Sequence, residues 1–322
     1  MSDKQLKILQ NELKMLVEAF AISGYEWTLD IVKTIQQLAG SKGQRIGDNL
    51  VYCVGKGRKK IFISAHMDEV GFFITQSKPS YAQVVPIGDV DIKDCIGSKL
   101  VFDWNGKRII SNPLPKAKSF ATLKIYGLGN IPKGTVGTFE KKSRMKDELV
   151  ESPSLDNKLG CLILLELLKT IKEQKAKTFI LCFSCREETT TSGLMIAIKQ
   201  FEPDICIDID SAYALPMRKN PNWQIPEIGK GPALQLMGSG FIMGADNRIR
   251  VENLAKRILI PLQYEIPDQT GGAGNSRTLL LNGSDVIQIN VPAAFQHGPK
   301  SKASFNDIWQ TKQLLETLLE EI

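Results

Sequence analysis

Histidine is scarce in this chain: among 322 residues there are only two, His66 and His297. No segment approaches the ~20 consecutive apolar residues needed to cross a bilayer, so no membrane association is expected. Basic and aromatic residues do not alternate along any stripe, which argues against a nucleic-acid partner. The N-terminal segment is charged and amphipathic and lacks a basic-then-apolar signal pattern, so we expect a cytoplasmic protein.

Cysteine is also sparse, with six residues scattered through mostly apolar runs. Without a secretory signal, these cysteines are expected to be reduced thiols in the core. Cys182 and Cys185 have the spacing of a redox or zinc pair, but they fall along a predicted strand with no second pair or histidine nearby. Core packing is therefore the favoured interpretation for both.

Apolar strands and helices alternate over most of the chain. Strands are predicted at 60–65, 178–184, 205–209 and 286–291, and helices at 5–20, 158–174, 192–200 and 305–320. Strands that are apolar throughout are typical of a parallel sheet covered on both faces. The sequence therefore predicts an α/β fold with a mostly parallel central sheet flanked by helices.

Residues 74–150 have a different character. They contain short β-rich segments separated by glycine, proline, asparagine or aspartate, and no helix is predicted among them. We predict a small all-β, barrel-like domain here, inserted into a discontinuous main domain formed by residues 1–73 and 151–322.

Residues able to bind a metal follow the predicted strands, where ligands gather in open α/β sheets. Asp68 lies two residues after His66, and this spacing is typical of an imidazole held by a carboxylate while its other nitrogen faces an ion. The other candidates lie at a helix start or after later strands: Asp156, Glu187, Glu188, Asp208, Asp210 and His297. Each alone has an ordinary explanation, such as a helix cap or a solvated turn, but together they indicate one site.

The types of ligand point to a metal. Two imidazoles and several carboxylates, without clustered cysteines, suit zinc, or cobalt or manganese in a hydrolase. A catalytic zinc needs three protein ligands, and the candidates exceed that number. A pair of ions that share one carboxylate fits the count better.

Several motifs resemble those of the tetrahedral (TET) glutamyl/leucyl aminopeptidase family, dinuclear metallopeptidases whose members are sometimes labelled cellulases or endoglucanases. They occur in the order and spacing of that family across nearly the whole chain. The motifs are Ala65-His66-Met67-Asp68-Glu69-Val70-Gly71-Phe72, Leu155-Asp156-Asn157-Lys158-Leu159-Gly160, Glu187-Glu188, Asp208-Ile209-Asp210-Ser211-Ala212, Gly229-Lys230-Gly231-Pro232 and His297.

The resemblance implies a phosphorylase/hydrolase-like metallopeptidase domain that binds two divalent ions, zinc first, with cobalt or manganese as alternatives. It implies that Asp156 bridges the ions, and that the metal ligands are His66, Asp156, Glu188, Asp208 and His297. Glu187 matches the general base that takes a proton from a metal-bridging water, Asp68 would orient His66, and the Asp156–Asn157 bond would be cis.

The resemblance further implies peptide substrates cleaved at the N-terminus, and self-assembly through the insert from dimers to a dodecamer. One departure concerns substrate preference: Gly271-Gly272-Ala273-Gly274-Asn275 stands where the family usually has Gly-Gly-Thr-Asp-Ala, so an acidic group is missing. Three alternatives stay open: a metal-dependent deacylase of N-acyl amino acids or small amides, a glucanase, and a non-catalytic assembly protein.

Overall fold

The computed structural model describes residues 1–215, 223–267, 272 and 274–322. Its α-helices are α1 (Asp3–Glu18), α2 (Ile31–Ala39), α3 (Ile92–Cys95), α4 (Leu155–Thr170), α5 (Ser192–Phe201), α6 (Ala245–Arg257), α7 (Ser276–Leu281) and α8 (Phe305–Glu321). Its strands are β1 (Gln44–Ile46), β2 (Asn49–Val54), β3 (Lys59–His66), β4 (Gly71–Ser77), β5 (Tyr81–Ile87), β6 (Leu100–Trp104), β7 (Lys107–Ile110), β8 (Ile125–Tyr126), β9 (Val136–Phe139), β10 (Arg144–Lys146), β11 (Leu149–Ser152), β12 (Lys177–Ser184), β13 (Ile205–Tyr213), β14 (Ala233–Gln235), β15 (Met237–Gly238), β16 (Phe241–Ile242), β17 (Gln263–Glu265), β18 (Asp285–Ala294) and β19 (Ser301–Ser304).

A mixed sheet forms the centre of the molecule. Within the described residues its strand order is β1-β2-β12-β3-β13-β18-β19-β11-β10, and β14 pairs with both β18 and β17. The four middle strands β12, β3, β13 and β18 are parallel, whereas the strands that flank them pair in antiparallel fashion and β17 pairs in parallel with β14. The α/β prediction is confirmed, but the sheet is parallel only in its middle because both of its ends are built from hairpin-like additions.

The parallel strands lie in the middle of the sheet because their residues are mostly apolar. β3 is buried from Ile61 to His66 and β12 from Phe179 to Ser184, so both faces of each strand lie in the core. Such strands need helices over them, and α4 provides the main cover. It contacts β3, β13, β12 and β18, and nearly every residue from Leu155 to Leu165 is buried.

Most of the remaining helices fall into two groups. α1, α2 and α8 pack with α4, and α6 packs on α8, while α5 and α7 pack on each other and on strands of the sheet. The capping box of α1, in which Ser2 and Gln5 exchange hydrogen bonds, fixes where that helix begins. Of the predicted helices, the C-terminal one is confirmed almost to the residue.

A second sheet is built from the segment between β3 and α4. Its six strands are antiparallel in the order β7-β6-β9-β4-β5-β8, and it has its own buried cluster, which includes Phe72, Phe102 and Phe139. Strands β7 and β8 are its edges, so the pairing does not close as a barrel-like domain would. Strand β10 and the first residues of β11 lie inside the range 74–150, but β10 pairs with β11 and β11 pairs with β19 of the central sheet. The division into domains therefore stays a prediction.

The cysteines and the lengths of the helices test two further expectations from the sequence. All six cysteines are free; five are buried, but Cys53 is exposed. In the part of the chain that the structure describes, every helix is too short or too polar to cross a bilayer.

Candidate metal centre

The two histidines of the chain lie on either side of one carboxylate. Nε2 of His66, at the end of β3, is 3.1 Å from Asp156 Oδ1, and Nε2 of His297, in the loop after β18, is 3.2 Å from Asp156 Oδ2. Asp156 is the second residue of α4, and its backbone is not helical there; the Asp156–Asn157 bond is cis, as the resemblance implies. The two oxygens of one carboxylate thus face two different imidazoles.

Two groups of ligand atoms result from this arrangement. One group contains His66, Asp156 and Asp210, and the other contains Asp156, Glu188 and His297; within each group the atoms lie within 4.8 Å of one another. Nε2 of His297 is 3.3 Å from Glu188 Oε2. The predicted site residues His66, Asp156, Glu188 and His297 are therefore brought together, around the shared Asp156.

Asp208 does not lie where the sequence placed it. The register of β13 against β3 pairs Asp208 with Ser64, and its carboxylate accepts a hydrogen bond from Ser64 Oγ at 2.6 Å. Asp210 lies two residues further along the same face of the strand, with Oδ1 3.4 Å from His66 Nε2. The structure therefore places Asp210, and not the predicted Asp208, beside His66.

The sequence carries a signal that favours Asp210 over Asp208. Asp208 and Asp210 share one face of a strand, and the one nearer the carboxyl end belongs at the edge where ligands gather. The strand was predicted to end at residue 209, but it continues to Tyr213. The assignment of Asp208 follows instead from the family resemblance.

Asp68 is completely buried next to the site, and its main partners are backbone groups. Its carboxylate accepts the N–H groups of Glu187 at 3.1 Å and Glu188 at 3.2 Å, whereas His66 Nδ1 is 3.7 Å from Oδ1 and 3.3 Å from the Asp68 carbonyl oxygen. Asp68 therefore holds the loop after β12 as well as facing His66. Glu187 Oε2 lies 3.8 Å from His66 Nε2, at the edge of the ligand groups.

A buried lysine fixes the loop that carries Asp68. Lys158 Nζ donates to the carbonyl oxygens of Met67 at 2.7 Å and Asp68 at 3.3 Å, and its side chain has no exposed surface. Since Lys158 follows Asp156 on α4, the same helix start positions both the shared carboxylate and the loop after His66.

The electrostatics of the metal-free site are those of crowded, buried ligands. Burial raises the pKa of Glu188 to about 7 and raises the pKa of Glu187 well above its usual range. Burial opposes the charging of His297, but the negative charges of Glu188 and Asp156 and the hydrogen bond to Asp156 together outweigh it and raise the His297 pKa to about 10. For Asp156, hydrogen bonds from the two histidines outweigh burial and hold the pKa far below its usual range. Without metal, the ligand side chains therefore bind protons that a cation would displace.

A small cavity of about 100 Å³ opens onto both ligand groups, and Glu187 lines its edge. A wider groove of about 560 Å³ shares Glu187, Gly272 and Gly274 with it and is also lined by Arg277. A larger cavity of about 710 Å³ lies elsewhere, between Arg144 and Lys302, but it contains no histidine and no cluster of carboxylates. The chemistry of the lining, not the size, identifies the first cavity as the site.

Gly272 and Gly274 line this cavity. Gly271 and Ala273 lie outside the described residues, and Gly272, Gly274 and Asn275 lie within them. A β carbon at Gly274 would lie 2.4 Å from Asp210 Oδ2. The absence of a side chain at position 274 therefore leaves room for the Asp210 carboxylate.

Comparison with known protein families gives one match. The family described as M42 glutamyl aminopeptidase matches residues 126–314, which is more than half of the chain.

Individual proteins are similar over almost their whole length. A lysyl aminopeptidase of Pyrococcus furiosus is 26% identical, with 96% of each chain covered. A TET aminopeptidase structure from a marine sediment archaeon, Thaumarchaeota archaeon SCGC AB-539-E09, superimposes with a TM-score of 0.90 at 18% identity, covering 99% of this chain and 97% of that one. The TET1 peptidase of Pyrococcus horikoshii, described as assembling into a tetrahedron or a large octahedral shell, has a TM-score of 0.84 at 22% identity, covering 98% of this chain and 100% of that one. The two structural matches show a shared α/β fold.

Proposed function

The chain belongs to the M42 glutamyl aminopeptidase family, whose members are hydrolases of peptide bonds, and from this premise we propose that it removes N-terminal residues from peptides with the help of two divalent ions. The observation that carries the proposal is the position of Asp156, whose two oxygens face one histidine each. A carboxylate in that position is suited to bridge a pair of ions.

The donor set fits such a pair. His66, Asp156 and Asp210 would hold one ion, and Asp156, Glu188 and His297 the other. Glu188 Oε1 is buried without a hydrogen-bond partner among the described residues, as expected of an oxygen kept for a cation. Nitrogen and oxygen donors without thiolate favour zinc, with cobalt or manganese as alternatives.

Within the reaction, Glu187 is the residue proposed to move protons. When bound, the ions would lower the pKa of a water molecule and polarise the scissile carbonyl. Glu187 lies at the edge of both ligand groups, on the side of the open groove, so it would take a proton from the attacking water and pass it to the leaving amine. Asp68 would keep Glu187 and Glu188 in place through their backbone amides.

Assembly into a larger particle is a further part of the proposal. The segment 74–150, proposed as an inserted domain, exposes large apolar side chains that a monomer would leave in water; they are Val85, Ile96, Trp104, Ile110, Tyr126 and Leu149. The TET1 peptidase of Pyrococcus horikoshii assembles into closed shells. We therefore expect dimers and a dodecamer in solution, and light scattering during size-exclusion chromatography tests this; a monomer at micromolar concentration would contradict it.

A substrate panel tests the function itself. The purified protein is assayed on aminoacyl p-nitroanilides, by release of nitroaniline, and on N-acetylated amino acids, by release of acetate, after chelation and after addition of zinc, cobalt or manganese. We expect metal-dependent cleavage of the free aminoacyl substrates only. Activity restricted to the acylated compounds would support a deacylase instead, and cleavage of oligosaccharides that survives chelation would support a glucanase.

A further inference from the structure

One carboxylate in the cavity of the metal centre has no part in the proposed metal binding or proton transfer. Glu265, at the end of β17, is 2% exposed and lines the same cavity as His66 and His297. Its Oε2 accepts a hydrogen bond from Asn290 Nδ2 at 2.7 Å, and its Oε1 accepts one from the backbone N–H of Tyr213 at 2.9 Å.

Glu265 has no cationic partner among the described residues. Buried carboxylates are almost always paired, and this chain shows the usual solution at Glu69, which forms an ion pair with Lys141. Glu265 has only neutral donors, and burial raises its pKa to about 8. Each of its oxygens can still accept another hydrogen bond, so the carboxyl group is left with capacity for a positively charged donor.

The side-chain amides around Glu265 are oriented so that some of their oxygens are left without a hydrogen-bond donor. Gln235 Nε2 donates to the Gly272 carbonyl oxygen at 2.8 Å, which leaves Gln235 Oε1 to accept from Asn290 Nδ2 at 2.9 Å. Because Nδ2 of Asn290 thus serves both Gln235 and Glu265, Asn290 Oδ1 has no partner within the described residues. Gln288, also buried and lining the cavity, has an unpaired Oε1 as well. Both of these buried amide oxygens therefore have no hydrogen-bond donor among the described residues.

We propose that Glu265, together with the amide oxygen of Gln288, binds an ammonium group of the N-terminal residue of the substrate. An ammonium supplies a positive charge and three N–H donors, which suit a carboxylate without a cationic partner and an amide oxygen without a donor. The group is either the α-ammonium, which every aminopeptidase substrate carries, or the ε-ammonium of an N-terminal lysine. The inference rests on the proposed function, because it assigns a part of the same substrate.

The test compares two substrates that differ by one ammonium group. Lysyl and norleucyl p-nitroanilides have side chains of similar length, and only the first carries a terminal amine. Wild-type protein and the Glu265→Gln variant are loaded with zinc, and the metal content of both is measured. Glu265 is not among the proposed metal ligands, so the variant is expected to keep its ions.

Each source of the ammonium gives its own pattern. If Glu265 binds the α-ammonium, kcat/KM of the variant falls about 10- to 100-fold for both substrates, mainly through KM, as for loss of a charged hydrogen-bond partner. If it binds the ε-ammonium, the wild type prefers the lysyl substrate, and only that preference is lost in the variant. A metal-loaded variant with kcat/KM within about twofold of the wild type on both substrates overturns the inference.

A second variant covers the case in which Glu265→Gln fails to fold. Glu265→Asp keeps the carboxylate but withdraws it by one methylene, so KM is expected to rise about fivefold or more for the affected substrates while kcat changes little; an unchanged KM overturns the inference. A wild-type protein that cleaves no aminoacyl anilide refutes the proposed function, whereas an active wild type with unaffected variants refutes only the role of Glu265.

Discussion

Asp208 and Asp210 are expected to respond in opposite ways to the same substitution. Asp210 faces His66, so Asp210→Asn removes a proposed ligand and should lower metal affinity at that position by more than about 100-fold, beyond the range for a residue that only supports a ligand. Asp208 accepts hydrogen bonds from the hydroxyl groups of Ser64 and Ser276 and is not part of either ligand group, so Asp208→Asn should keep both ions.

The Asp208 substitution should also stabilise the metal-free protein. Burial, and then repulsion from Asp210, raise the pKa of Asp208 to about 7, against about 4 in an unfolded chain. The native state therefore binds this proton more tightly, and the associated stability is present below about pH 4 and is lost as the pH rises through about 7. At about 1.4 kcal/mol per pH unit, the loss between pH 5 and pH 8 is about 3 kcal/mol, and asparagine, which does not ionise, avoids it.

Urea unfolding of chelator-treated protein at pH 5 and pH 8, together with metal analysis of loaded protein, measures both effects. Asp208→Asn should be more stable than the wild type at pH 8 by a few kcal/mol, with a smaller difference at pH 5. A variant of Asp208 that loses an ion while Asp210→Asn keeps two would refute the register argument. Equal stability of Asp208→Asn and wild type at pH 8 would refute the electrostatic argument.

Three further predictions concern neighbouring residues. Glu187→Gln should keep both ions and lose about 10²- to 10⁴-fold in kcat, measured on aminoacyl anilides; unchanged turnover would remove Glu187 from its proposed role. The pKa values of His297 and Glu188 in the metal-free site are about 10 and about 7, so binding of an ion there should displace about one proton near pH 8 and about two near pH 6. Metal affinity should therefore fall more steeply with pH in acid. Calorimetry in buffers of different ionisation enthalpy counts these protons, and a pH-independent affinity would contradict the prediction. Lys158→Met should lower the free energy of unfolding by about 3 kcal/mol, since it leaves two buried carbonyl oxygens without a donor; a loss below about 0.5 kcal/mol in urea unfolding would contradict this.

The sequence predicts the elements of this fold well where hydrophobic periodicity is strong. The buried strand β3 and helix α8 are found within a residue or two of their predicted bounds. Hydrophobic periodicity does not specify the order of the strands, because pairing at both ends of the sheet depends on contacts between distant segments. The short helix α7 carries little periodic signal and was not predicted.

The candidate site shows the same limit at the level of single residues. His66 and Asp156 could be placed together from the sequence because each lies at the carboxyl end of a strand or at the start of a helix. The choice between Asp208 and Asp210 needs the register of β13 against β3, which the hydrophobic pattern does not specify since both residues lie on one face. Nothing in the sequence distinguishes Glu265, because its proposed role follows from the lack of a cationic partner among the described residues of the folded structure.

The central claim is that Asp156 is shared by two ions, and anomalous diffraction at the zinc edge from zinc-soaked crystals tests it most directly. We predict two peaks, one bound by His66 Nε2 and Asp210, the other by His297 Nε2 and Glu188, with one oxygen of Asp156 on each. A single peak, or two peaks that share no oxygen of Asp156, would contradict the account.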